Sequence, residues 1–185
     1  HDPPHHWATE ASGHLAKRFY TGGRYSMPIR GYADTSAARM GFRYVRMRAG
    51  EVLLVHAGAG GVGSAAIQLG RAAGALVIAT AGGPDKVAVC RELGAEIVVD
   101  YRDEDFVEAA REFSDGHGVD VVLDMVGGDY IPRNIKALAA DGRLVNIAFL
   151  RGSTIELNFM KVMLKRLTLT GSTLRPQTVS YTHLT

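Results

Sequence analysis

The sequence predicts an α/β fold, a doubly wound parallel sheet that follows an irregular N-terminal segment. Three observations carry this. From about Ala49, strand-like and helix-like segments alternate, which is the order of a parallel sheet with helices on both faces. The first strand-like run, Val52-Leu53-Leu54-Val55, is apolar at every position, as a strand buried on both faces must be. It runs directly into a glycine cluster, Gly58, Gly60 and Gly63 in HAGAGGVG, which opens a helix.

The elements follow in order. Strands are predicted at Glu51–His56, Ala75–Thr80, Glu96–Val99, Val119–Asp124 and Arg143–Ile147. Helices are predicted between them at Val62–Ala73, Asp85–Leu93, Arg102–Phe113 and Tyr130–Leu138. Leu93-Gly94-Ala95 stops a helix and starts a strand, with Gly94 placed to take the left-handed conformation beyond the helix end. Asp85 lends its charge to the first turn of the second helix. Pro132 suits a first turn, where its missing N–H costs nothing. Phe159–Thr170 reads as a short helix running into a strand, Leu167–Thr170. Crossovers between the parallel strands are right-handed.

Length and composition narrow the class. A chain of 185 residues, 46% hydrophobic and 22% charged, is an ordinary globular composition with room for one sizeable domain. We divide it into an irregular or non-native segment at 1–48, the dinucleotide-binding (Rossmann-type) domain at 49–177, and a disordered tail at 178–185. A net charge of +2 without a basic stripe argues against a nucleic-acid binder. The single cysteine, Cys90, excludes an internal disulfide framework and a thiolate zinc cluster, and suits a reducing cytoplasm. No apolar run is long enough to span a bilayer. His1, His5 and His6 suggest a metal site, but a proline-containing terminus offers no fixed geometry, so none is assigned.

The chemistry gathers at the strand ends. Gly58, Gly60 and Gly63 meet the spacing of a dinucleotide loop. There glycines allow a tight turn, close approach to a pyrophosphate, and close packing of helix on strand. Unpaired N–H groups at the helix start favour the phosphates. The alternative is a turn that serves packing alone. At the end of the second strand, where an acid would bind a ribose 2′-hydroxyl, the sequence reads Ala79-Thr80-Ala81-Gly82-Gly83. With no acid to repel a 2′-phosphate, with room and backbone N–H donors at Gly82 and Gly83, and with Lys86 one turn on, NADP(H) is favoured over NAD(H). Tyr101 can stack on adenine and aim its hydroxyl at that phosphate, or lie as an aromatic lid on the loop. Gly127 and Gly128 after the fourth strand permit backbone approach to the nicotinamide ribose. The loop of Ile147, Ala148 and Phe149 after the fifth offers backbone groups to the carboxamide, unless Phe149 is core. Asp124 is read as satisfying loop N–H groups, His56 as a structural hydrogen-bonding histidine, and Cys90 as a small buried hydrophobe.

From Glu51 to Gln177 the ordered set HAGAGGVGSAAIQLGRAAGA, TAGGPDK, LGAEIVVDYRDEDF, VDVVLDMVGG and DGRLVNIAF resembles the cofactor domain of the zinc-independent, zeta-crystallin-like quinone oxidoreductases, in the medium-chain dehydrogenase/reductase superfamily. The resemblance implies NADPH-dependent reduction of quinones, or of enones, by transfer of hydride or electrons, with no metal. It implies that Gly60, Gly61 and Val62 meet the pyrophosphate, that Gly82, Lys86 and Tyr101 hold the 2′-phosphate, and that Gly127 and Ile147–Phe149 hold the nicotinamide end. It also implies a homodimer formed by edge strands, for which Leu167–Thr170 is the candidate. Family members carry a GroES-like domain before this unit, and residues 1–48 do not read as one. We therefore expect a cofactor-binding half with little turnover alone. A non-enzymatic nucleotide-binding or dimerisation module, and an enoyl reductase domain of a polyketide or fatty-acid synthase, are the competing readings.

Overall fold

The computed structural model describes residues 46–173. The chain runs β1 (Val52–Val55), α1 (Gly61–Ala72), β2 (Leu76–Ala81), α2 (Pro84–Glu92), β3 (Ile97–Asp100), α3 (Phe106–Phe113), β4 (Val119–Asp124), α4 (Tyr130–Ala137), β5 (Leu138–Asn146), α5 (Met160–Leu164) and β6 (Thr168–Gly171). The six strands form one parallel sheet in the order β3-β2-β1-β4-β5-β6. This is the doubly wound arrangement expected, with the order reversing between β1 and β4. Ligand crevices open at that point, beyond the carboxyl ends of the strands.

Strand side chains alternate between two cores. Leu53, Val55, Val77, Ala79, Val121 and Leu123 pack against Ala66 and Ile67 of α1 and Val87 and Cys90 of α2. Leu54, Ile78, Val99, Val122 and Leu144 face the other way, onto Phe106 and Val107 of α3 and Tyr130, Ile131 and Ile135 of α4. Every residue of β1 is therefore buried, which is why its sequence shows no alternation.

Most predicted boundaries hold within two residues, and the helix stops explain why. α1 and α2 both end in paired bonds from the next two amides. Gly74 N donates to Arg71 O (2.9 Å) and Ala75 N to Gly70 O (3.0 Å), while Gly94 N donates to Arg91 O (2.9 Å) and Ala95 N to Cys90 O (3.1 Å). Gly94 takes φ 102°, as its sequence context predicts.

Two predictions need correction. α3 begins at Phe106 rather than Arg102. The amides of Asp103 and Glu104 turn back onto Asp100 O, and Asp105 caps the helix by accepting from Val107 N at 2.8 Å. β5 begins at Leu138, directly after α4, rather than at Arg143. Leu138 pairs with Val119 and Arg143 with Val121, so the residues between form a bulge. The bulge is pinned from the turn that follows α5. Asp141, at φ 60°, donates its amide to Lys165 O (2.7 Å) and its carboxylate accepts from Arg166 Nε and Nη2, both at 2.7 Å. Lys165 Nζ in turn donates to the carbonyls of Ile135, Lys136 and Leu138 at the end of α4. α5 and β6 lie where predicted, with β6 at one edge of the sheet.

Candidate functional site

The glycine turn between β1 and α1 stands over the switch point. Ala57 takes φ 51° and its carbonyl accepts from Gly60 N at 2.9 Å, closing the turn. A Cβ added at Gly63 would land on that carbonyl oxygen and 2.8 Å from Gly58 Cα, so only glycine lets α1 start this close to β1. Gly58 lies against Cys90 Sγ, Ala79 and Ile67, where a Cβ would meet atoms at 2.9, 3.0 and 3.1 Å, and its amide donates to Thr80 O at 2.8 Å. Gly58 and Gly63 thus serve packing. The amides of Ala59, Gly61, Val62 and Gly63 donate to no acceptor among the described residues, while Gly60 is exposed at the mouth of the turn. Four free donors at the start of a twelve-residue helix make a cradle for an anion.

Beside it, the end of β2 meets the end of β3. Tyr101 is half exposed with its hydroxyl over Gly82, so that a Cβ there would come within 2.5 Å of Oη. The ring therefore covers the loop, and its outer face is open. Lys86 projects into solvent from the first turn of α2. Residue Arg102 was missed by the sequence reading. Its Nη1 would lie 2.9 Å from a Cβ at Gly83, so the guanidinium stands over the same loop. The expectation that Gly83 offers a free N–H is corrected, since Asp100 Oδ2 accepts it at 2.9 Å. The one sequence signal for Arg102 is its place next to Tyr101, and the helix predicted from Arg102 masks it.

The loops after β4 and β5 close the other side. Phe149 folds over Gly127, where a Cβ would meet Phe149 Cδ1 at 2.7 Å, so these two residues are brought together and Phe149 is surface rather than core. Ile147 N donates to Asp124 O (2.8 Å), which removes it as a carboxamide donor, whereas the amides of Ala148 and Phe149 find no acceptor among the described residues. Asp124 acts as its sequence position suggested. Oδ1 accepts from Val126 N (2.7 Å) and Gly127 N (3.1 Å), fixing the loop.

A buried polar chain connects these parts. His56, Thr80, Asp124 and Asn134 are each at most 1% exposed. Asp124 Oδ2 accepts from Asn134 Nδ2 (3.1 Å) and Asn146 Nδ2 (3.0 Å). That orientation turns Asn134 Oδ1 to His56 Nε2 at 2.7 Å. His56 Nε2 must then carry the proton, leaving Nδ1 to accept from Thr80 Oγ1 at 3.1 Å. The imidazole stands edge-on to Phe106 and Tyr130, with centroids at 4.7 and 4.8 Å. Burial holds the His56 pKa below the ordinary histidine value and Arg133 adds to this, against the opposing pull of Asp124 and the Asn134 hydrogen bond. His56 is thus a neutral, fully bonded residue without access to solvent.

This has a consequence for stability. The unfolded chain protonates its histidine near pH 6.5, while folded His56 resists protonation, so the unfolded state binds more protons as the pH falls. Stability should hold above that pH and decline below it, with a slope of up to about 1.4 kcal/mol per pH unit from this one group. Urea melts from pH 7.5 to 5 check it. In His56→Gln that component of the slope should vanish, and an unchanged slope would assign the decline to other groups.

Burial pushes the Cys90 thiol up to about 11, in keeping with a packing role under the glycine turn. Among the described residues no three His, Cys, Asp or Glu stand together as a metal site requires. His1, His5 and His6, weighed as a metal site from the sequence, lie outside the described residues. No helix among the described residues is long and apolar enough to cross a membrane.

Comparison with known proteins gives the family and the fold. Residues 61–183 match the family model described as zinc-binding dehydrogenase. The phthioceranic/hydroxyphthioceranic acid synthase of Mycobacterium tuberculosis (strain ATCC 25618 / H37Rv) is 48% identical over 102 residues, 55% of this chain and 5% of that protein. The chain thus spans about a twentieth of the length of the curated relatives it matches. The Escherichia coli quinone oxidoreductase complexed with NADPH superposes with a TM-score of 0.70 at 32% identity, covering 76% of this chain and 44% of that one. CurK enoyl reductase superposes at 0.69 with 32% identity, covering 84% and 46%.

Proposed function

Since the chain belongs to the zinc-binding dehydrogenase family of the medium-chain dehydrogenase/reductase superfamily, we propose that it is the NADPH-binding part of a reductase acting on a quinone or an enone. The family and the fold make it a nicotinamide-coenzyme domain of an oxidoreductase. The observation that carries the reading is the cradle of free amides at Ala59, Gly61, Val62 and Gly63, shaped by glycines that cannot be enlarged.

In this reading the amides of Gly61 and Val62 hold the pyrophosphate beside the exposed Gly60, with Gly58 and Gly63 giving the turn its shape. Gly82, Lys86, Tyr101 and Arg102 receive the adenosine 2′-phosphate. Gly127 with the loop of Ile147, Ala148 and Phe149 borders the nicotinamide end, where the free amides of Ala148 and Phe149 orient the carboxamide. Bound NADPH supplies the hydride. The chain's own residues set the orientation of the ring and exclude water from one side of it.

The preference for NADPH rests on charge. Arg102 and Lys86 bring two cations to a loop that offers no acid of its own. The carboxylate of Asp100 beside the loop already holds the amides of Gly83 (2.9 Å) and Arg102 (3.1 Å). Arg102→Ala and Lys86→Ala should each weaken NADPH binding about ten-fold, the order of one hydrogen bond to a charged group, and leave NADH unchanged. Fluorescence titration with both coenzymes checks it. Equal losses for the two would remove these residues from 2′-phosphate recognition.

One observation favours a second reading. The similarity to CurK enoyl reductase extends over 84% of this chain, so the acceptor under that reading is an enoyl thioester. Oxidation of NADPH with 1,2-naphthoquinone, set against a crotonyl thioester, separates the two. Binding without turnover of either favours a nucleotide-binding module.

Among the described residues the outer edge of β6 is unpaired, which supports a homodimer through this strand. Next to it α5 and the residue before it expose Phe159, Met160, Met163 and Leu164. Sedimentation velocity should find a dimer that Met163→Lys, on the exposed flank of α5, dissociates, and a native monomer would end this proposal.

A further inference from the structure

The buried polar chain does more than satisfy its own members. One end lies beneath the glycine turn, where Thr80 Oγ1 accepts from Ala57 N (3.3 Å) and Thr80 O from Gly58 N (2.8 Å). The other end holds both loops on the far side, through Asp124 to Val126, Gly127, Asn146 and Ile147. His56 and Asn134 are the only links between the two ends through side-chain hydrogen bonds among the described residues. Residues 78 positions apart in sequence are thereby tied into one line crossing the switch point.

We propose that Thr80, His56, Asn134 and Asp124 are positioning residues that couple the pyrophosphate turn to the loops at the nicotinamide end, so that seating one half of the coenzyme sets the geometry of the other. This rests on the coenzyme reading above. Its physical basis is the cost of the arrangement. An interior built from polar groups is no more stable than a well-packed apolar one, so its benefit is a defined geometry. Here the geometry has one polarity. Asp124 accepts from both asparagines, Asn134 must then turn its oxygen to His56, and His56 must turn an acceptor to Thr80. The rings of Phe106 and Tyr130 pack edge-on against the imidazole, and its bonds to Thr80 and Asn134 fix which way it faces.

The test uses the full 185-residue chain with two probes, NADPH and 2′,5′-ADP, which has only the adenosine half. Asn134→Leu cuts the line at its middle and touches neither loop. It should weaken NADPH binding roughly ten-fold, the order of one hydrogen bond to a charged group, while 2′,5′-ADP stays within about two-fold. Equal loss for both ligands, or no loss for either, overturns the proposal. Thr80→Val is the milder cut for use if Asn134→Leu does not fold. In the native chain 2′,5′-ADP should shift the Gly127 amide resonance, and in Thr80→Val it should not. A shift that persists in the variant, or is absent from the native chain, also overturns it. A native chain that binds neither probe overturns the coenzyme reading itself, a result distinct from binding without coupling.

Discussion

Gly63→Ala is expected to abolish useful coenzyme binding, while Gly60→Ala, three residues earlier, is expected to change it little. Both belong to the same motif, and the difference is spatial. At Gly63 the new methyl would occupy the position of the Ala57 carbonyl oxygen and come within 2.8 Å of Gly58 Cα. Both are backbone atoms of the turn, so neither can rotate away. Either α1 retreats from β1 or the turn opens, and each displaces the amides of Gly61 and Val62. Loss of two hydrogen bonds to a phosphate is worth at least about 3 kcal/mol, or roughly 100-fold in affinity. Overpacking adds a stability loss of about 1–3 kcal/mol. At Gly60 the backbone has φ −75°, open to any residue, and a methyl would meet Ala57 O at 3.2 Å from an exposed position. Calorimetric titration of the two variants checks the contrast. Equal affinities would show that the amides at the start of α1 do not hold the ligand.

Asp124→Leu is expected to destabilise the domain by about 3–5 kcal/mol, among the largest losses of any single side chain here. The carboxylate accepts four hydrogen bonds in a site with no solvent access, and leucine would leave two loop amides and two asparagine amides without an acceptor. Asp124→Asn is the informative comparison. Its Oδ1 can still accept from Val126 and Gly127, but its Nδ2 would face two donors. Relief comes only if Asn134 and Asn146 turn over, which presents an N–H to His56 Nε2 and forces the imidazole proton to Nδ1. Asp124→Asn should therefore be milder than Asp124→Leu in urea melts and should reverse the His56 tautomer in nitrogen NMR. An unchanged tautomer with native stability would contradict the network's polarity.

The fold was legible because its signals are local. An apolar run followed by glycines, the helix stop at Gly94, and the βα alternation fix the order of elements before any contact is known. Features that depend on distant partners were not legible. Whether α3 begins at Arg102 or Phe106 depends on Asp105 capping Val107 in competition with the turn onto Asp100, and both outcomes suit the sequence. The bulge in β5 exists because Asp141 meets Lys165 and Arg166, 24 and 25 positions later. At the site, the glycines were found by their spacing and Asp124 by its place at a strand end. Arg102 was hidden by the helix assigned to it, and nothing local in the Tyr130–Leu138 stretch marks Asn134 as the polar residue that turns inward. Its partner His56 could be recognised as structural but not paired.

A crystal structure of the chain with NADPH tests the central claim most directly. The account predicts diphosphate oxygens within hydrogen-bond distance of the amides of Gly61 and Val62, and the 2′-phosphate between Arg102 and Tyr101. Coenzyme bound elsewhere with the turn vacant, or a turn that closes on itself and admits no anion, would contradict it.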